Sequence, residues 1–177
     1  MLTLSASAFA AEKTVEWTAS EQGYGNGEKL NEVEAVIDEN TSMVFFTGSS
    51  GNAPAYYDSG TSVRLYGGNY LTLHGKAITT VVLSFGTSDK NNEIKADCGS
   101  YDNAGTWTGN ADEITFTIGG SSGHRRIAAI QVTHQTEDNP ENPDNPDNPD
   151  NPDNPETPDN PDNPENPDNP ENPEKIP

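Results

Sequence analysis

Residues 113–118 read EITFTI. Ile114, Phe116 and Ile118 alternate with Glu113, Thr115 and Thr117, so an extended chain here has one apolar and one polar face. The same two-residue period recurs on both sides. TVEWT offers Val15 and Trp17. SVRLY offers Val63 and Leu65. NYLTLHG offers Leu71 and Leu73, and TTVVLSF offers Val81, Leu83 and Phe85. EIKADC offers Ile94, Ala96 and Cys98. EVEAVI and SMVFFT flank the turn Asp38-Glu39-Asn40, and RIAAIQVTH carries Ile130 and Val132 with a phase break at Ala128-Ala129 that predicts a bulge. No 3.6-residue period is sustained anywhere. Eight or nine short strands with Gly, Asn and Ser turns predict an all-β, antiparallel β-sandwich of jelly-roll type.

The rest of the chain is of another kind. Of the 177 residues, 1–136 carry a net charge of −7, whereas 137–177 carry −13 and 13 of the 14 prolines. That division gives a leader remnant at 1–10, a module at 11–136 and an Asp/Glu-Asn-Pro repeat linker at 137–177. The Ala8-Phe9-Ala10 triplet before Ala11 has the form of a signal-peptide cleavage site, without the basic start and most of the apolar run. Export to a secreted or cell-surface location is the expectation, and no run is long and apolar enough for membrane insertion. Proline at every third position excludes helix and disfavours sheet, leaving a disordered, polyproline II-type acidic tail. At ~3.1 Å per residue it spans on the order of 110 Å and reads as a spacer. Its end at Glu-Lys-Ile-Pro implies either a downstream domain outside this sequence or a rod that meets a surface.

The acidic balance argues against nucleic acid and anionic membrane as partners, and Arg125-Arg126 is too small a basic patch to change that. Cys98 is the lone cysteine, and it reads as a small buried hydrophobe. His74, His124 and His134 are scattered rather than spaced as metal ligands. Ser121, Ser122 and His124 lie close in sequence, but the segment GGSSGHRR reads as a Gly-rich hairpin loop rather than part of a catalytic triad. GYGNG at 23–27 is followed by no helix and so is no phosphate loop. No enzyme chemistry is expected, and no cofactor. A structural calcium at Asp38, Glu39 and Asn40 and a plain turn explain those three residues equally well.

The stretch with the most to say about function is 51–75, GNAPAYYDSGTSVRLYGGNYLTLHG, which holds four of the six tyrosines. Gly67-Gly68 reads as a two-residue hairpin turn. Arg64, Tyr66, Tyr70 and His74 then share the outer face of one hairpin. Tyrosines stack on pyranose rings while Arg, Asn and His bond hydroxyls, so this is a candidate sugar platform. Tyrosine is equally a strand former that packs across strands. The candidate ligand-binding residues are Tyr56, Tyr57, Arg64, Tyr66 and Tyr70, with Trp107 from the GTWTGN loop, whose alternative is a core anchor.

NAPAYYDSGTSVRLYGGNYLTL together with TWTGNADEITFTIGGSSGHRRIAAIQV resembles a β-sandwich accessory module of the carbohydrate-binding-module type, found in exported proteins of gut-type anaerobic bacteria. The resemblance covers about residues 14–134 and implies a non-catalytic role beside other domains. The resulting expectation is a secreted binding module for polysaccharide or glycoconjugate, held on the acidic spacer. The alternative is a structural or adhesion module that contacts protein partners at the cell surface.

Overall fold

Two long strands, β6 (Tyr70–Phe85) and β9 (Thr106–Ile118), pair antiparallel from Tyr70↔Thr117 to Val82↔Thr106 and form the spine of the protein. The structure is a computed structural model that describes residues 11–136; the segments expected as a leader remnant, 1–10, and as a repeat linker, 137–177, lie outside the described residues. The other eight strands are β1 (Glu12–Thr18), β2 (Glu34–Asp38), β3 (Thr41–Phe46), β4 (Ala55–Tyr57), β5 (Ser62–Tyr66), β7 (Ile94–Ala96), β8 (Ser100–Tyr101) and β10 (His124–Gln135). They make one antiparallel sheet curled as a half-barrel, with a single 3-10 turn at Ala19–Glu21 and no α-helix among the described residues.

The curl has a local cause. The first half of β6 pairs with β3, and its second half pairs with β10. Between the halves the register slips around Gly75-Lys76-Ala77, with Ala77 in the left-handed region at φ +49°. Bulges of this kind bend a strand and raise its twist. β10 is divided likewise: on its other edge 124–127 meet β5 and 129–135 meet β1. Its register slips between Ile127 and Ala129, where the sequence predicts a bulge.

The core lies in the concavity. Ile114, Phe116 and Ile118 are buried, and Glu113 and Thr117 are exposed, as the alternation of EITFTI requires. Trp17, Phe45, Leu71, Leu73, Val81 and Ile130 join them. Each such side chain, fully buried, contributes about 1.5–3 kcal/mol of apolar transfer. Cys98 is only half-buried at the edge of this core.

Two expectations are corrected. First, Gly67-Gly68 does not make a hairpin, because β5 pairs with β4 and β10, whereas β6 pairs with β3, β9 and β10. The turn closes with the Asn69 N–H donating to the Tyr66 carbonyl at 2.9 Å, and only Gly68 is left-handed, at φ +88°. That is the type II pattern, which splays strands instead of joining them in a tight hairpin. Asn69 latches this corner from a fully buried site. Its Oδ1 accepts the Tyr66 N–H at 2.7 Å, and its Nδ2 donates to the carbonyls of Thr47 and Asn52 at 2.8 and 2.9 Å. Second, 119–123 is a loop but not a hairpin: β9 and β10 lie on opposite edges of β6.

Candidate functional site

Strands β4, β5 and the start of β10 form one end of the sheet, with Tyr56↔Val63, Arg125↔Leu65, Arg126↔Arg64 and His124↔Tyr66 as direct partners. Residues directly opposite share a face. Tyr56, Val63, Leu65, Arg125 and Ile127 therefore face the core, and Tyr57, Arg64, Tyr66, His124 and Arg126 face the other way.

The inner face is closed. Tyr56 is 5% exposed and packs on Tyr24, with ring centroids 5.9 Å apart. Arg125 is buried, ion-pairs with Asp89 at 3.0 Å, donates to the Asn92 carbonyl at 2.8 Å and lies 3.6 Å above the Phe85 ring.

The outer face is an aromatic and guanidinium cluster. Arg64 sits 4.2 Å over the Tyr57 ring and 5.9 Å from that of Tyr66. Its Nη1 donates to Tyr66 Oη at 3.4 Å, and the two phenol oxygens are 3.5 Å apart. His124 packs edge-on against Tyr66 at 6.1 Å. Arg126 approaches Tyr57 at 5.9 Å, is 3% exposed, and donates through Nη1 to the Ser59 carbonyl at 2.8 Å. Among the described residues neither Arg64 nor Arg126 ion-pairs with a carboxylate, and the Nε of each is buried without a hydrogen-bond partner. Lys29, bridged to Ala55 beside β4, adds a third positive charge that acts on Tyr66.

These charges reach the neighbouring titratable groups. Burial pushes the Tyr66 phenol up, but hydrogen bonds from Tyr57 and Arg64 and the Arg64 charge outweigh it and hold it below the ordinary value. Tyr57, bonded to Tyr66, is held above it. Burial and the two guanidiniums push His124 down, against the bond to the Ser88 carbonyl. Burial and the adjacent Arg64 also lower Arg126.

Beside the cluster lies a groove of about 560 Å³. Its walls are the loop 49–52, the corner 66–68 and the loop 120–123, so Tyr66 is its aromatic side chain and the rest are Ser, Asn and Gly. The corner fits because residue 67 has no side chain; a Cβ there would collide with the Gly120 carbonyl.

Of the sequence candidates, the fold brings Tyr57, Arg64 and Tyr66 together. Tyr56 points into the core. Tyr70 stacks on Phe46 at 4.8 Å and 17°, and His74 is paired with Glu113 at 3.2 Å. Trp107 is 0% exposed and donates from Nε1 to the Cys98 carbonyl at 2.6 Å, so it is a core anchor and presents no face to a ligand. Gly99 and Gly109 lie against its indole, where a Cβ would come within 2.5 and 2.6 Å; its glycine neighbours give the ring room instead of giving a loop freedom. His124, Arg126 and the Ser-rich loops were missed. The alternation of HRRI places Arg126 outward, but its partner Arg64 is set by a long-range pairing that one sequence does not reveal.

At Asp38-Glu39-Asn40, one Asp38 oxygen meets Lys13 Nζ at 2.8 Å and the other accepts the Asn40 N–H at 3.0 Å, the latter being the bond of an Asx-type turn. Among the described residues no three His, Cys, Asp or Glu side chains gather as metal ligands. His124 Nε2 lies 3.2 Å from the Ser88 carbonyl, not from a serine hydroxyl. Compared with known protein families, curated proteins and solved structures, the chain has no match.

Proposed function

We propose that residues 11–136 are a non-catalytic carbohydrate-binding module, exported and held on the acidic Pro-rich segment as a spacer, and that its site is the groove at residues 49–52, 66–68 and 120–123. The observation that carries the reading is the groove's chemistry: one partly buried tyrosine ring set among hydroxyl, amide and backbone groups. Sugar rings are recognised by such a pairing of an aromatic face with convergent polar groups. The fold that accompanies the reading is the jelly-roll sandwich of such modules, and the curled sheet, with β6 and β9 running through both of its halves, is compatible with it.

The adhesion alternative needs a protein-sized contact. Val36 is the exposed large apolar side chain of the described surface, at 64%, and one such residue is far short of an interface core. The test is a glycan array probed with the full chain and with Tyr66→Ala. Glycan binding that Tyr66→Ala weakens by about tenfold or more, with an unchanged melting point, supports the groove. Equal retention by the folded variant moves the site elsewhere, and no glycan bound removes the carbohydrate reading.

A further inference from the structure

Resting on that reading, we infer that the saccharide taken by the groove is anionic, carrying a carboxylate or a sulfate ester that is read by Arg64 across Tyr66. Three observations converge. Arg64 and Arg126 are direct cross-strand partners on one face, an arrangement of like charges that destabilises a sheet unless something offsets it. Asp89, the nearby carboxylate, is already engaged: one oxygen pairs with Arg125 on the opposite face, and the other accepts only the backbone N–H of Arg126, at 2.7 Å. Finally, the Arg64 guanidinium, with five N–H donors, has one hydrogen bond among the described residues, a long one at 3.4 Å.

Tyr57 offsets part of this charge through its ring face, but it offers no acceptor pair to match the planar fork of a guanidinium. A carboxylate or sulfate supplies one. The position suits a groove ligand. Tyr66 both lines the groove and contacts Arg64, and His124 follows the groove residue Gly123 and packs on the same ring. A sugar stacked on Tyr66 would bring a ring substituent toward Arg64. The chain as a whole carries a net charge of −20, and residues 1–136 alone −7, so a polyanion gains nothing from the protein's overall field and must find these cations specifically.

The experiment uses the full chain and four probes in two matched pairs: polygalacturonate and its methyl ester, dextran sulfate and dextran. Affinity is measured by titration calorimetry at low and high NaCl. The expected result is that the charged member of one pair binds about tenfold tighter than its neutralised partner, the value of one charge-assisted hydrogen bond. The pair that responds tells carboxylate from sulfate, and salt erodes the preference. Arg64→Gln abolishes the preference and leaves the neutral form bound within about twofold, while Arg64→Lys keeps part of it. Thermal melts establish that both variants are folded. Equal affinity for charged and neutral members overturns this inference and leaves the carbohydrate reading standing. A preference that survives in folded Arg64→Gln overturns it too. Binding of none of the four, with no glycan bound on the array, removes both.

Discussion

Arg125 and Arg126 are consecutive on β10 and both almost fully buried, yet their surroundings are opposites. On the inner face Arg125 has a carboxylate, a carbonyl and an aromatic ring, so its charge is matched where it sits. On the outer face Arg126 meets a carbonyl, the Tyr57 ring at 5.9 Å and a second guanidinium. A buried charge is tolerated when it is paired and hydrogen-bonded, and is costly otherwise. The inner arginine is thus part of the stable framework. The outer pair stores an electrostatic imbalance beside a groove, which is where binding sites keep such imbalances.

The sharpest way to break this contrast is to remove each arginine. Arg125→Ala strips Asp89 of its partner and empties the space above Phe85, and is expected to lose about 3–5 kcal/mol in denaturant unfolding. Arg126→Ala loses one hydrogen bond and some packing on Tyr57 but relieves the repulsion with Arg64, and is expected to lose about 1 kcal/mol. Equal losses would show that the two faces do not differ in the way the geometry indicates.

The corner that places Tyr66 can be separated from the core in the same manner. Asn69→Ala leaves the Tyr66 N–H and the Thr47 and Asn52 carbonyls without their side-chain partner, and is expected to lose about 2–3 kcal/mol. Because the same latch sets the groove wall, glycan binding should fall further in Asn69→Ala than in Arg126→Ala when both are compared well below their melting points. Full binding by a destabilised Asn69→Ala would detach the groove from its corner.

What the sequence reveals follows the range of the forces. EITFTI, SVRLY and NYLTL are legible because alternation is local, and each puts its apolar residues inward. The β10 bulge is legible for the same reason. Gly67-Gly68 is misread because a glycine pair fits both a hairpin and a corner; which one forms depends on whether β5 finds β6 or β10, a pairing between residues about 60 apart. Trp107 stays open between ligand contact and core anchor in the sequence because glycines beside an aromatic signal either a free loop or a cleared space, and the clearing neighbour Gly99 lies in another strand connection. Half of the six site candidates converge for a simple reason: Tyr57, Arg64 and Tyr66 lie on paired neighbouring strands, where parity alone puts them on one face.

The smallest expected effect concerns an ion pair at the opposite extreme of burial from Arg125–Asp89. Lys13 on β1 meets Asp38 on β2 at 2.8 Å, with the lysine side chain 49% exposed and the aspartate 18%. The Lys13 hydrogen bond, opposed by burial and aided by the Asn40 N–H and Thr41, takes the Asp38 carboxyl from its ordinary 3.8 down to about 2. A folded value below the unfolded one means that the ionised form stabilises the fold: the contribution is complete above about pH 5 and is lost as pH falls through 3.8 toward 2. Water screens a pair this open, so the contribution is small, a melting-point change of about 3 °C or less in Asp38→Asn at pH 7. The melting curves of wild type and variant should converge as pH falls to about 2, where the wild-type carboxylate is itself taking up its proton. Added salt should narrow the gap at pH 7 as well. For Arg125→Ala the gap should survive the same added salt, because a buried pair is screened far less than one in water. A gap in Asp38→Asn that persists at pH 2 would mean that the substitution does not act through the lost charge, since an asparagine oxygen can still accept the Asn40 N–H of the Asx-type turn.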